Sequence, residues 1–226
     1  AILTLEEIAR LAQAFVALGI EKIRLTGGEP LARRNIMRLV GDIAALPGLG
    51  ELTMTTNGAL LPRYAKDLWA AGMRRINISL DSLCPQRFQA ITRTGDLGQV
   101  MAGIEAARAA GFERIKLNTV IMTERNDDEV LRLIQFAVAR GLDISFIEEM
   151  PLGQIVEHDR SKTFFSGEQV LAMARQAFDV IPSMETTSGP SRYYRLAGTH
   201  TRLGIIAPHS RNFCGRCNRV RLTTEG

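Results

Sequence analysis

Residues 114–149, RIKLNTVIMTERNDDEVLRLIQFAVARGLDISFIEE, decide the fold class. Arg114–Ile121 and Asp143–Glu149 are short runs rich in β-branched and aliphatic residues, and both read as strands. Between them, Asn126–Arg140 has helical spacing. Asn126 is the expected helix cap, and Asp127, Asp128 and Glu129 put carboxylates in the first turn, where the helix dipole favours them. Gly141 hands the helix over to the second strand. Strand, helix and strand in this order form a βαβ unit with parallel strands and a right-handed crossover.

Outward from this unit the pattern repeats. Strand-like runs lie at Glu21–Thr26, Leu52–Asn57 and Arg75–Asp81, with helical segments at Arg33–Ala45, Arg63–Ala71 and Gly98–Ala110. Gly72 and Gly111 mark further handovers from helix to strand. A first helix opens on the capping-box pair Thr4 and Glu7, carries an apolar stripe of Leu5, Ile8, Leu11, Phe15 and Leu18, and stops at Gly19. The fold class is therefore α/β, and both a partial barrel and an open doubly wound sheet satisfy the pattern. Polar residues gather at the C-terminal ends of the strands: Thr26, then Thr55 to Asn57, Ser79 and Asp81, Asn118 and Thr119, and Glu148 and Glu149. Each could serve as a turn or cap residue alone. Five strands in succession predict a ligand edge.

From Pro151 the character changes. A charged loop at Glu157–Lys162 and a helix at Ser166–Phe178 precede a hairpin built from Tyr193–Leu196 and Thr201–Ile206 around Gly198. The expected organisation is residues 1–150 as the (β/α) part and 151–226 as a small C-terminal segment. With 226 residues, 46% hydrophobic and 23% charged, the composition is that of a globular protein with a sizeable core. No run of ~18 apolar residues is present, so no membrane span is expected. Three cysteines do not make a disulfide scaffold and favour a reducing cytoplasm. A net charge of +4 suits an anionic small ligand or a solvated basic surface.

Four stretches carry chemistry. In Thr26-Gly27-Gly28-Glu29-Pro30, paired glycines let a backbone approach a ligand, and Glu29 offers a carboxylate. The same residues equally suit a tight turn, with Pro30 opening the next helix. Ile76, Ile78 and Leu80 share one face of a strand, and Asn77, Ser79 and Asp81 share the other. Lys116 stands between Ile115 and Leu117 on a strand that should be buried, which calls for an anion or carboxylate partner. Cys214 and Cys217 form a C-x-x-C, and Arg219 and Arg221 follow on an extended segment. The pair reads as half of a zinc ribbon or as ligands to an iron–sulfur cluster, the arginines as anion binders.

Six motifs in this order, IRLTGGEP (23–30), MTTNG (54–58), INISLDS (76–82), KLNTVIM (116–122), FIEEMPLG (146–153) and FCGRCNRVRLT (213–223), resemble the GTP 3′,8-cyclase family of radical S-adenosylmethionine enzymes. The resemblance covers the whole chain. It implies a partial (β/α)6 barrel of TIM-like, radical SAM type with a small C-terminal segment. It implies a lyase that converts GTP to 3′,8-cyclo-7,8-dihydroguanosine 5′-triphosphate at the first step of molybdenum-cofactor biosynthesis. The implied cofactors are S-adenosylmethionine and [4Fe-4S] clusters, two in the intact family enzyme. By motif, Gly28, Glu29, Ser79 and Met150 are the implied S-adenosylmethionine residues. Arg24, Thr55, Lys116, Arg219, Val220 and Arg221 are the implied GTP residues, and Cys214 and Cys217 the implied metal ligands. Implied partners are GTP, S-adenosylmethionine and an electron donor for cluster reduction, with a homodimer as the candidate assembly; neither nucleic acid nor a membrane is implied. The family's C-x-x-x-C-x-x-C loop and third C-terminal Cys have no counterpart in these residues. The chain is thus expected to be an internal portion of such an enzyme, inactive by itself. A non-catalytic GTP-binding remnant and a structural zinc module on an α/β scaffold are the alternatives.

Overall fold

The computed structural model describes residues 2–150, 159–184, 189–210 and 218–226. In chain order its elements are α1 (Leu5–Ala17), β1 (Lys22–Leu25), a 3-10 turn (Pro30–Ala32), α2 (Ile36–Ala44), β2 (Glu51–Thr56), α3 (Leu61–Ala70), β3 (Arg75–Ser79), α4 (Pro85–Thr92) and α5 (Leu97–Ala110). They continue as β4 (Arg114–Ile121), a second 3-10 turn (Asp127–Glu129), α6 (Val130–Arg140), β5 (Asp143–Glu148), α7 (Arg160–Thr163), α8 (Gly167–Ala174), β6 (Val180–Pro182), β7 (Arg192–Leu196) and β8 (Arg202–Ile206). The expected α/β alternation is present. No helix among the described residues is long and apolar enough to cross a membrane. The elements fall into two compact units, one of residues up to 79 with 98–115 and 220–226, the other of residues 80–97 and 116–219.

In the first unit β1, β2 and β3 are parallel, with Arg24 beside Thr53 and Thr55 beside Asn77. Alternation buries Leu52, Met54, Ile76 and Ile78 on one face. Val40 and Ile43 of α2 and Leu61 and Leu68 of α3 are fully buried too. Each such side chain contributes roughly 1.5–3 kcal/mol. The Thr4–Glu7 capping box forms as expected: Glu7 N–H donates to Thr4 Oγ1 (3.2 Å), and Thr4 N–H donates to Glu7 Oε2 (2.7 Å). The stripe of α1 ends earlier than its sequence suggests. Leu18 is the residue at which the chain leaves the helix, and it is 82% exposed.

Gly103 of α5 faces the turn after β2, and a Cβ there would overlap the carbonyl oxygen of Gly58. Backbone on both sides leaves little room to relax. Gly103→Ala should therefore destabilise the protein by about 2–3 kcal/mol, read as a lower urea midpoint at unchanged m-value.

In the second unit the strand order is β4-β5-β8-β7-β6. β4–β5 and β5–β8 are parallel, while β8–β7 and β7–β6 are antiparallel. The expected hairpin is thus β7–β8, and it is docked: β8 lies beside β5, continuing the sheet of this unit. Leu133, Ile134 and Ala137 of α6 and Val170, Leu171 and Ala174 of α8 are buried, as are Ile144 and Phe146 of β5, on which both helices pack.

Asn126 departs from the expected role. Its side chain makes no cap bond. It is fully buried, donates through Nδ2 to the carbonyls of Asp81 and Val120 (both 2.8 Å), and accepts from Met122 N–H (2.8 Å). A buried amide must satisfy its own hydrogen-bonding groups, and here the backbone at Asp81 and at the end of β4 does so in place of the helix terminus.

Candidate functional site

In the first unit the site edge is built by one glutamate. Gly27 has φ +142°, a conformation open to glycine, and no atom lies within 4 Å of where a Cβ would stand on Gly27 or Gly28. The turn thus presents its backbone to open space, which fits the close approach of a ligand's carboxylate or amino group. Glu29 holds the turn in place. Its Oε1 accepts from Leu31 N–H (3.0 Å) and Thr56 Oγ1 (2.8 Å), and its Oε2 accepts from Asn57 N–H (2.7 Å). The carboxylate therefore joins the end of β1 to the end of β2 and caps the 3-10 turn that Pro30 opens. A carboxylate has about four acceptor positions, so three within the chain make Glu29 chiefly a positioning residue.

Alternation puts Arg24, Thr53, Thr55, Asn77 and Ser79 on one face of β1-β2-β3. Arg24 is exposed, and Thr55 and Ser79 are half-buried. Asn77 Nδ2 donates to Thr55 Oγ1 (3.4 Å). Four of the expected residues, Arg24, Gly28, Thr55 and Ser79, thus share this face or the turn that closes it. Val220 is 73% exposed, and Arg219 and Arg221 are exposed as well.

In the second unit Lys116 and Asn118 share one face of β4, whose other face carries the buried Ile115, Leu117, Thr119 and Ile121. Lys116 reaches the phenol of Tyr193, a partner that its own strand does not predict. Its Nζ donates to Tyr193 Oη (3.3 Å) and lies 5.9 Å from the ring centre. Asn118 Oδ1 is buried and has no hydrogen-bond partner among the described residues. Such an orphaned acceptor fits a ligand donor. Met150 is 42% exposed just beyond β5.

Glu148, at the end of β5, turns inward. It is 1% exposed and accepts from Gly167 N–H (2.9 Å), His209 N–H (3.2 Å), Ser210 N–H (2.9 Å) and Ser210 Oγ (2.5 Å). It therefore anchors the start of α8 and the backbone at 209–210 to one point. Cys214 and Cys217 lie outside the described residues. Among those described, no three His, Cys, Asp or Glu side chains are grouped to hold a metal ion.

Asp81 is half-buried, and its Oδ1 accepts from Val120 N–H (2.8 Å). Burial pushes its pKa from 3.8 up to about 6, with the Val120 bond opposing. A raised carboxyl pKa means the folded state holds a proton that the unfolded chain has released. Its contribution to stability is full below about pH 4 and is lost as pH rises through about 6. Asp81→Asn should accordingly be more stable than the parent at neutral pH and should flatten the fall in urea midpoint between about pH 4 and 6. A variant that keeps the parent's slope would contradict this.

Sequence reasoning missed the group around Lys116. Arg202 donates from Nε (3.0 Å) and Nη2 (2.5 Å) to Asp143 Oδ2, both residues are buried, and the guanidinium lies 4.9 Å from the Tyr193 ring centre. The available signal was alternation in β7 and β8. It cannot show which strand the hairpin docks against, so Lys116 and Tyr193, 77 residues apart, could not be paired.

A model of the radical SAM superfamily matches residues 1–137, and one for Molybdenum Cofactor Synthesis C matches residues 142–226. Among solved structures, Streptococcus suis SuiB bound to S-adenosylmethionine shares the fold at 15% identity, with a TM-score of 0.62 over 99% of this chain and 47% of that one. The coproporphyrinogen III oxidase HemN of Escherichia coli does so at 15% identity and 0.56, over 89% of this chain and 56% of that one. The α/β fold is thus the radical SAM fold, whose superfamily uses a [4Fe-4S] cluster and S-adenosylmethionine. The chain is 60% identical to a GTP 3′,8-cyclase of Pseudomonas putida (strain W619) and 62% identical to one of Pseudomonas fluorescens (strain Pf0-1). Each match spans 100% of this chain and 68% of the relative. The chain belongs to the GTP 3′,8-cyclase family.

Proposed function

We propose that this chain is the substrate- and cofactor-holding part of a GTP 3′,8-cyclase, which converts GTP to 3′,8-cyclo-7,8-dihydroguanosine 5′-triphosphate in the first step of molybdenum-cofactor biosynthesis. The observation that carries the reading is the polar strand face in the first unit, where Arg24, Thr55 and Ser79 stand beside the open Gly27–Gly28 turn on a chain matched over its full length by these cyclases. When bound, the [4Fe-4S] cluster and S-adenosylmethionine would supply the radical chemistry that activates GTP.

The chain's own residues bind and orient. Gly28, Ser79 and Met150 take S-adenosylmethionine, and the Gly27–Gly28 backbone receives its polar end. Glu29 holds that turn and keeps an acceptor position for the ligand's amino group. Arg24, Lys116, Arg219 and Arg221 meet the charge of the triphosphate, as guanidinium and ammonium groups do well. Thr55 and Val220 complete the GTP site. Cys214 and Cys217 supply two thiolates to a second cluster at the substrate. In this reading, residues 1–150 form the radical SAM part and residues 151–226 the substrate-closing segment. An electron donor reduces the first cluster, and a reducing cytoplasm suits the thiolates.

The test is anaerobic reconstitution of the full-length enzyme with iron and sulfide, followed by assay with GTP and S-adenosylmethionine. The expected result is a [4Fe-4S] signal and GTP-dependent cleavage of S-adenosylmethionine. Zinc in place of iron, or no cleavage, would overturn the reading.

A further inference from the structure

The polar face of the second unit's sheet runs across four strands in register. Lys116 pairs with Asp143, Asn118 with Ser145, Ser145 with Gly204 and Gly204 with Tyr193. Because paired positions point to the same side, these residues share a face. Gly204 lies at the centre of that face, and a Cβ there would overlap Ser145 Oγ and Ser191 Oγ, so the glycine makes room for these two hydroxyls. Tyr193, on the same face, is 5% exposed.

Two observations on this face bear on a ligand. The first is that the Lys116 ammonium is held from behind. It donates to Tyr193 Oη at 3.3 Å, and the Tyr193 ring is in turn covered by the Arg202 guanidinium at 4.9 Å, which Asp143 fixes. Arg202 N–H also donates to Asp143 Oδ1 (3.0 Å), so three hydrogen bonds hold that pair together. The second is the orphaned Asn118 Oδ1, two residues from Lys116 on the same strand face. The two residues stand about 7 Å apart along the strand backbone, and a cation with an orphaned acceptor on the same face matches a ligand with an anionic end and an N–H or O–H donor. The phenol is also tuned to this neighbour. Burial pushes its pKa up, but the charge and hydrogen bond of Lys116, the Ser191 hydroxyl and the charge of Arg202 outweigh that and leave it below the usual tyrosine range.

We infer that Tyr193, braced by the Arg202–Asp143 pair, is a positioning residue that aims the Lys116 ammonium at an anionic group of the substrate, with Asn118 Oδ1 receiving a donor of the same molecule. The inference rests on the reading of Lys116 as a GTP residue. It adds a positioning element, Tyr193, from the C-terminal part of the chain and a specificity element, Asn118, from β4: a ligand that carries the anion without a donor placed for Asn118 gains only half of the site.

The test is a double-mutant cycle in the full-length reconstituted enzyme, read by calorimetry with GTP and with S-adenosylmethionine and by steady-state kinetics. Tyr193→Phe removes one hydroxyl and keeps the ring. It should weaken GTP binding about 5–10-fold, raise KM with little change in kcat, and leave S-adenosylmethionine affinity unchanged. In a Lys116→Ala background the same substitution should have no further effect on GTP, because a residue that acts through Lys116 has nothing left to act through. A Tyr193→Phe loss of equal size in both backgrounds, or no loss in either, would overturn the inference even if Lys116→Ala itself weakens GTP. Unchanged GTP affinity in Lys116→Ala would instead overturn the reading of Lys116. Thermal melts of each variant separate these outcomes from general destabilisation: a purely structural Tyr193 would lower Tm and both ligands' affinities together, which also refutes the inference.

Discussion

Glu148→Ala is expected to destabilise the protein by about 4 kcal/mol, one of the two largest effects anticipated for a single substitution here. The parent carboxylate is 1% exposed and satisfies three backbone N–H groups, from Gly167, His209 and Ser210, as well as the Ser210 hydroxyl. Alanine strands those buried donors, and each orphan costs about 1–3 kcal/mol. Partial refilling by water keeps the total below the simple sum. Glu148 also carries an acid signature. Burial pushes its pKa up, but the bonds from Ser210 Oγ, Gly167 N–H, Ser210 N–H and His209 N–H together bring it below the usual glutamate range. Its stabilisation is therefore present above the unfolded pKa of about 4.5 and lost as pH falls through the lower folded value. Urea titrations of parent and variant should differ most at neutral pH and converge in acid. A variant within about 1 kcal/mol of the parent at pH 7 would show that Glu148 does not anchor the 209–210 backbone.

Arg202→Ala is expected to have a comparable effect, about 3–5 kcal/mol, because it takes the paired guanidinium away from the buried Asp143 carboxylate. Burying a charge is tolerable only with a partner, so removing one member is far worse than removing both. Arg202→Met combined with Asp143→Asn keeps an acceptor for Arg202 N–H's position and should recover at least half of the loss, as measured by denaturant unfolding. If the double variant is as unstable as the single one, the loss comes from packing around Tyr193 rather than from an unpaired charge.

How much of this was legible in the sequence differs from one element to the next. β4 is found at Arg114–Ile121, with the bounds that its apolar alternation predicts. The Thr4–Glu7 capping box is also as read, since its chemistry lies within four residues. The polar ends of β1, β2 and β3 and the alternation of Asn77 and Ser79 against Ile76 and Ile78 follow from a two-residue period and survive unchanged. Asn126 was misread because a cap and a buried brace use the same residue type, and only the position of the Asp81 backbone decides between them. Glu29 looked like a ligand carboxylate and is largely consumed by Leu31, Thr56 and Asn57, the last two of them more than twenty residues away.

The sequence by itself determined the α/β class, the family and the identity of the residues proposed to bind, because strand and helix periods and short motifs are local properties of the chain. The tertiary structure alone decided that β8 docks beside β5, that Tyr193 meets Lys116, that Asn118 Oδ1 has no partner among the described residues, and that Glu148 is an internal anchor. The physical reason is common to all four. Which acceptor a buried donor finds depends on groups brought together from distant parts of the chain by packing, and no local period in the sequence encodes that meeting.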